Sequence, residues 1–300
     1  MINEHPILVA IHCLVYNHEP YLRQCLDGFV MQKTNFRYAA IVHEDVSTDG
    51  SAAIIREYAE KYPDIIMPIF ETENQWSKQD GSLARIMDDA INATGAKYVA
   101  MCEGDDYWTD PYKLQKQVDF MESHPEYVAC FHNAIVDNGR GRSLFNSLME
   151  NHYPTTEDII ERQWFISTQT LLYRNIPLVY PEWTGYVKNG DYLLELMLAK
   201  EGKFYYMDDV MAVYRKQGQG FSAQLNASKV DMYDRLIYLL SHTKEYYAGV
   251  YADLFDRSIA NYERMKQDSI KELYYEQHPL ARAFRPKTYK RMIKRWLKRL

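Results

Sequence analysis

Several familiar signals are missing from this sequence, and each absence removes a class of protein. Only four cysteines occur in 300 residues, Cys13, Cys25, Cys102 and Cys130, and none stands in a C-x-x-C spacing. A disulfide framework and a thiolate zinc site therefore lack support. The scattered thiols, and a start without the basic flank and cleavage site of a signal peptide, point to a reducing cytosol. No run approaches the roughly 20 apolar residues that cross a bilayer. The nine histidines show no H-E-x-x-H spacing, and no G-x-S-x-G elbow is present. Internal repeats and low-complexity linkers are absent too.

What is present is an ordinary globular composition with an uneven charge. Hydrophobic residues make up 47% and charged residues 25%, which excludes a disordered tail protein. The net charge of −6 averages two unlike parts. Arg282 to Leu300 holds nine Lys or Arg and no acidic residue, leaving 26 basic and 41 acidic residues in a body of charge −15. An acidic body argues against nucleic-acid binding. In the tail, Tyr289, Met292, Ile293, Trp296, Leu297 and Leu300 recur at helical spacing over an arc of roughly 140°, with cations on the remainder. A Trp-bearing apolar face beside a cationic one suits a helix lying on an anionic membrane, and docking on an acidic protein surface is the alternative.

The first half alternates strands and helices. Strands are expected at Ile7 to Val15, Tyr38 to Val42, Ile65 to Phe70 and Tyr98 to Cys102. Helices are expected from Pro20 toward Met31, after the polar turn Glu44 to Ser51 through Ile54, Ile55 and Tyr58 up to Lys61, from about Ser82 to Ala93, and from Asp110-Pro111 through Leu114, Val118 and Met121. Parallel crossovers of this kind gather every carboxyl end of the strands on one edge, where ligands bind. About residues 128 to 223 mix short strands and loops, and long Tyr- and Leu-rich helices follow from about Asn226. The expected division is 1–225 and 226–300, with the basic amphipathic helix at about 287–300.

Two acidic turns fall on that edge. Glu103-Gly104-Asp105-Asp106 places three carboxylates in four residues, which repel one another unless a cation or solvent intervenes, and such oxygen donors suit Mn²⁺ or Mg²⁺. A solvated turn capping the next helix explains the same residues. Glu44 to Ser51 reads as a rich helix cap, and a carboxylate there can also accept the N–H of a base or the hydroxyls of a ribose.

The ordered set Val15-Tyr16-Asn17-His18-Glu19, Glu44-Asp45-Val46-Ser47-Thr48-Asp49-Gly50-Ser51 and Glu103-Gly104-Asp105-Asp106-Tyr107-Trp108 resembles family 2 glycosyltransferases over roughly residues 6 to 222. The resemblance implies the GT-A fold, a Rossmann-like, mixed, mostly parallel α/β sheet flanked by helices, here with a C-terminal helical extension. It implies an inverting enzyme that moves a sugar from a nucleotide-diphosphate donor, a UDP-sugar first of all, to a hydroxyl of a glycan or lipid-linked acceptor, assisted by Mn²⁺ or Mg²⁺. Tyr16 and Asn17 fall in the donor site. Asp45 takes the place of the base-contacting aspartate, Asp49 that of the second acid of its turn, and Glu44 replaces a commoner aspartate. Glu103 stands at the ribose-facing position, Asp105 at the metal position, and Asp106 behind it.

Asn189-Gly190-Asp191 resembles the region of the general base, which makes Asp191 the catalytic candidate, with a helix N-cap as the bland alternative. Arg215 falls in a segment near the diphosphate, where Gln217 replaces an expected histidine and weakens the case for a metal ligand there. Trp164 to Tyr173, with Ser167 to Thr170 at its centre, lies where members of the resembled family shape the acceptor and donor-sugar pocket, and an ordinary polar strand is the alternative. A cytoplasmic protein peripheral to the inner face of the plasma membrane through 282–300 follows, and a homodimer stays open. A sugar nucleotidyltransferase would want a Gly- and Lys-rich phosphate loop that Val15 to Pro20 lacks. A degenerate module that only binds nucleotide sugar or glycan is the rival that Gln217 favours.

Overall fold

A computed structural model describes residues 6–146, 152–216 and 228–277. Internal contacts divide the chain into two units, 1–218 and 219–300. Gln217 and the basic segment 282–300 lie outside the described residues.

The first unit is built on a nine-stranded sheet. Strand β1 (Ile7–Val15) pairs in parallel with β2 (Arg37–Glu44) and β4 (Tyr98–Met101), and β2 pairs in parallel with β3 (Ile66–Phe70). Helix α1 (Glu19–Val30) follows β1 and α2 (Ser51–Lys61) follows β2. The short α3 (Gln75–Lys78) and α4 (Ser82–Ala93) lie between β3 and β4. The order β3-β2-β1-β4 continues into β8 (Leu172–Arg174), β6 (Tyr127–Asp137), β9 (Lys203–Arg215) and β5 (Tyr107–Trp108), with β7 (Arg142–Leu144) on β6. Beyond β4 the pairing is mixed: β8 runs antiparallel to β4 and β6, whereas β6 and β9 are parallel.

Runs rather than alternation mark β1 and β2, because helices cover both faces of a parallel sheet. Val9, Ile11, Ala40 and Val42 are buried, as are Leu22, Leu26 and Phe29 on α1 and Ile54 and Ile55 on α2. Each such side chain contributes about 1.5–3 kcal/mol on burial. Helix α5 (Lys113–Ser123) starts later than the expected Asp110-Pro111, because the Asp110 carboxylate accepts the Tyr112 N–H at 2.7 Å and forms a turn ahead of the helix. Within Trp164 to Tyr173 the centre is a 3₁₀ turn, Thr168–Thr170, and β8 begins at Leu172. Helix α6 (Thr156–Glu161) and helix α7 (Gly190–Glu201) complete the unit.

In the second unit, α8 (Lys229–Tyr246) and α9 (Ala252–Gln277) are joined by ring pairs Tyr233–Tyr262 and Tyr247–Phe255 and by a Lys244–Asp256 ion pair at 2.6 Å. Among the described residues no helix is long and apolar enough to cross a membrane.

Candidate active site

The carboxyl ends of β3, β2, β1 and β4 lie side by side, and the acidic turns leave from β2 and β4, on either side of β1. At β2, the Asp45 N–H donates to the Val15 carbonyl at 3.0 Å, continuing the ladder one step beyond the strands. The buried Asp45 carboxylate then accepts two backbone N–H groups from the start of α3, Gln75 at 2.6 Å and Trp76 at 3.0 Å. Glu44, also buried, accepts the Ser47 N–H at 2.6 Å. Asn17 and the second turn clasp each other: the Asn17 N–H donates to Ser47 Oγ at 3.0 Å, and Asn17 Oδ1 accepts from Thr48 N at 2.7 Å.

This clasp has a backbone cost. Asn17 and Val46 sit at φ 56° and 62°, in the left-handed region, which a β-branched valine adopts only under constraint. Asp49 closes the arrangement by accepting the Glu19 N–H at 3.0 Å and the Ser51 N–H at 2.9 Å, while Glu19 accepts the Gly50 N–H. Partial burial opposes ionisation of Asp49, yet the hydrogen bonds from Ser51 and Glu19 hold its carboxyl below the ordinary range. Tyr16 projects from the same edge and is 48% exposed.

The turn after β4 is electrostatically opposite. Gly104 is required there, since a Cβ would stand 2.8 Å from His18 Nδ1 and 2.9 Å from Val15 Cγ2. Glu103 reaches solvent but is crowded by protein on its other sides. That crowding, then the charges of Asp105 and Asp191, pushes its carboxyl up to about 8. Asp106 is buried and its carboxyl is raised by that burial and by Asp105, although it accepts the Arg215 N–H at 2.7 Å. The Arg215 guanidinium donates to the Asp105 carbonyl at 2.6 Å, bonds Gln24, and lies 4.2 Å over the Tyr107 ring. Arg215 thus fixes the acidic turn from β9.

Asp191 occupies the first turn of α7, whose N-cap is Asn189 rather than Asp191. Its carboxylate accepts the Tyr192 N–H at 2.8 Å. Asp191 is exposed at the surface, with protein packed around its carboxyl group, and that desolvation raises its pKa against the helix N–H bonds that lower it. Glu103 feels the Asp191 charge, so residues 88 apart in sequence come close enough to interact electrostatically. One turn further along α7, the buried Glu195 is raised by desolvation and by Asp191, and its Oε2 has no hydrogen-bond partner.

Comparison with known proteins decides the family. The profile described as Glycosyl transferase family 2 matches residues 11–191, more than half of the chain. The chain belongs to this family. An uncharacterized protein of Mycobacterium tuberculosis (strain ATCC 25618 / H37Rv) is 37% identical over 214 residues, covering 71% of this chain and 60% of its own length. The chain therefore matches less than two thirds of that curated relative. Among solved structures, S. aureus TarS 1-349 in complex with UDP-GlcNAc superposes with a TM-score of 0.59 at 18% identity, over 78% of this chain and 66% of that one. The mannosyltransferase PcManGT from Pyrobaculum calidifontis in complex with GDP-Man and Mn²⁺ gives 0.57 at 15% identity, over 96% and 83%. Such likenesses establish the fold, the GT-A architecture expected from the sequence.

In this family 2 chain the structure adds residues that sequence patterns passed over. His18 lies against Gly104 between the two acidic turns, with Asp105 and Asp49 as its charged neighbours and a buried Nδ1 that has no hydrogen-bond partner. No ligand spacing marked it. Gln75 and Trp76 hold Asp45 from 30 residues away, and the visible signal was the Asn74-x-x-Ser77 cap, in which Asn74 accepts the Ser77 N–H at 2.8 Å. Behind the acidic turn, the fully buried Lys113 donates to Gln117 at 2.7 Å and lies 4.1 Å over the Trp108 ring, and burial pushes its amine down to about 7. Ser167 to Thr170 rests on the same layer, with the Trp108 indole N–H donating to the Gln169 carbonyl at 2.9 Å.

A divalent cation fits the donor set. The turn after β4 concentrates hard carboxylate oxygens, and desolvation followed by the charge of Asp105 raises the Glu103 and Asp106 carboxyls. Among the described residues no three His, Cys, Asp or Glu side chains are arranged to enclose a metal. Asp105, flanked by Glu103, would supply one or two oxygens and donor phosphates the others, the habit of Mg²⁺ and Mn²⁺ at phosphate sites.

Proposed function

We propose that this chain transfers a sugar from a nucleotide-diphosphate donor, a UDP-sugar first of all, to a hydroxyl of a glycan or lipid-linked acceptor, with inversion. The observation that carries the reading is that the charges of Asp105 and Asp191 both act on Glu103, which joins the start of α7 to the acidic turn after β4. Asp45 would accept a ring N–H of the base. Uracil and guanine offer one, whereas cytosine and adenine present a lone pair there. Tyr16, Asn17 and Asp49 shape the same end, and Glu103 meets the ribose. A bound Mn²⁺ or Mg²⁺ would neutralise developing charge on the departing diphosphate. Arg215 holds the turn that carries Asp105.

Asp191 acts on the acceptor. A base must come within hydrogen-bond reach of the attacking hydroxyl, and a raised pKa makes its carboxylate a better proton acceptor than a solvated aspartate. Proton removal as the new bond forms places attack opposite the leaving group. The UDP-GlcNAc and the GDP-Man with Mn²⁺ in the two structural neighbours support this donor class. The basic segment 282–300 would hold the enzyme at the cytoplasmic face of an anionic membrane.

Release of nucleoside diphosphate on adding acceptor tests the reading with a panel of UDP- and GDP-sugars. Asp191→Asn and Asp105→Asn are each expected to lower turnover by about 10²- to 10⁴-fold with thermal unfolding retained. Wild-type turnover in both variants removes these roles, and donor binding without release makes the chain a binding module.

A further inference from the structure

We propose that Glu71, anchored by His43, is a positioning residue for base recognition that acts through Gln75 on the Asp45 carboxylate. This rests on the donor reading above and adds residues that do not touch the donor themselves. Each link is a hydrogen bond. The Glu71 N–H donates to the Glu44 carbonyl at 3.1 Å, which carries the pairing of β2 and β3 one step past the strands and sets Glu71 beside the turn that holds Asp45. One Glu71 oxygen lies 3.2 Å from His43 Nε2, and the other accepts from Gln75 Nε2 at 3.0 Å. Gln75 Nε2 also donates to the Glu73 carbonyl at 3.0 Å. The Gln75 N–H then reaches Asp45 Oδ1 at 2.6 Å, beside the Trp76 N–H on Oδ2 at 3.0 Å and Asn74 Nδ2 on the Asp45 carbonyl at 2.8 Å.

Burial gives this relay its stiffness. His43 is fully buried and Gln75 nearly so. His43 Nδ1 has no hydrogen-bond partner, so the ring spends its one hydrogen bond on Glu71. A carboxylate only accepts, so the His43 Nε2–H donates. Where water cannot replace a lost partner, breaking one bond strands the next group, and the links hold together. An ionised carboxylate has about four lone-pair sites, and the two backbone N–H groups occupy one on each Asp45 oxygen. The plane of the group is thereby set before a base arrives, and the remaining lone pairs keep fixed directions. A preset acceptor favours a base that presents a ring N–H, as uracil does, and repels the lone pair that cytosine presents. A carboxylate free to turn would discriminate less.

Affinities of the full chain for UDP, CDP and ribose 5-diphosphate, the last a base-free probe, test this directly. GDP and ADP replace UDP and CDP if the wild type prefers guanine. Glu71→Ala is expected to weaken UDP about tenfold and to lower the preference for UDP over CDP by the same factor, with ribose 5-diphosphate unchanged. Gln75→Met, which keeps the backbone N–H on Asp45 and leaves His43 paired with Glu71, should do the same even if Glu71→Ala fails to fold. Glu71→Gln retains an oxygen for Gln75 Nε2 and should bind UDP within about threefold of wild type. An unchanged preference for UDP over CDP in Gln75→Met overturns the proposal. Equal weakening toward all three probes also overturns it, since the relay then only steadies the loop. Wild-type protein that binds neither UDP nor GDP sinks the donor reading itself and this assignment with it.

Discussion

The two acidic turns stand on one sheet edge and obey opposite electrostatics. After β2, the carboxylates of Glu44, Asp45 and Asp49 are met by backbone N–H groups of Ser47, Gln75, Trp76, Glu19 and Ser51, and Asp49 ionises more readily than a free aspartate. After β4, the Glu103 and Asp106 carboxyls are raised, first by desolvation and then by the charge of Asp105, with Asp191 adding to Glu103. Protein dipoles complete the first turn. The second is left with excess negative charge. On the donor reading proposed above, the finished end would present a rigid surface to the uncharged base, and the unfinished end would accept phosphates together with their counter-ion.

The strongest test of the contrast removes a carboxylate from the finished end. Asp45→Ala leaves the Gln75 and Trp76 N–H groups without their acceptor in a largely buried place. Unsatisfied buried donors cost about 1–3 kcal/mol each, so the variant should lose about 2–3 kcal/mol in denaturant unfolding as well as UDP affinity. A variant that binds UDP weakly at unchanged stability would show that Asp45 serves the ligand alone, and the contrast between a finished and an unfinished end would break.

Much of this contrast was legible beforehand, and the illegible part has a physical cause. Buried runs such as Ile7 to Val15 and helical spacings such as Ile54, Ile55 and Tyr58 are local patterns, so β1 to β4 and α1, α2 and α4 emerge at nearly their observed bounds. The acidic turns were visible because their residues are contiguous. Their compensation was not, since Asp45 finds its partners 30 residues away and Arg215 reaches Asp106 across 109. The start of α5 was misplaced for a related reason: Asp110 spends its carboxylate on the Tyr112 N–H before the helix begins. Lys113 reads as a surface residue of an amphipathic helix, and only the packing of Trp108 and Gln117 reveals it as buried.

Lys113 gives the next largest effect and extends the contrast below the surface. Its native amine titrates at about 7 against about 10.4 in the unfolded chain. Between those values the unfolded state binds more protons, so this residue makes stability rise with pH across the window. Below about 7 both states are protonated and the full burial penalty applies; above about 10.4 it vanishes. Lys113→Met is therefore expected to stabilise the protein by about 1–4 kcal/mol at pH 6 and by little near pH 10.5. Unfolding midpoints of both proteins at the two values check it, and a gain independent of pH would assign the effect to packing alone.

The smallest effect is expected where opposite charges meet in water. Arg23 of α1 and Glu57 of α2 form a bidentate pair, with hydrogen bonds of 2.8 and 2.6 Å and side chains 53% and 54% exposed. By distance alone this is a better contact than several in the acidic turns. Solvent screens it, and holding two long side chains in one geometry cancels most of the attraction. Glu57→Gln should leave both the thermal midpoint and UDP affinity unchanged, at low and at high salt. A measurable loss that salt removes would mean that surface charge contributes to joining the two helices that follow β1 and β2. Without it, the distinction between the turns is one of compensation: backbone N–H groups answer the carboxylates after β2, as at Asp45, whereas after β4 the buried Asp106 is answered by the Arg215 N–H and Glu103 stays open to solvent.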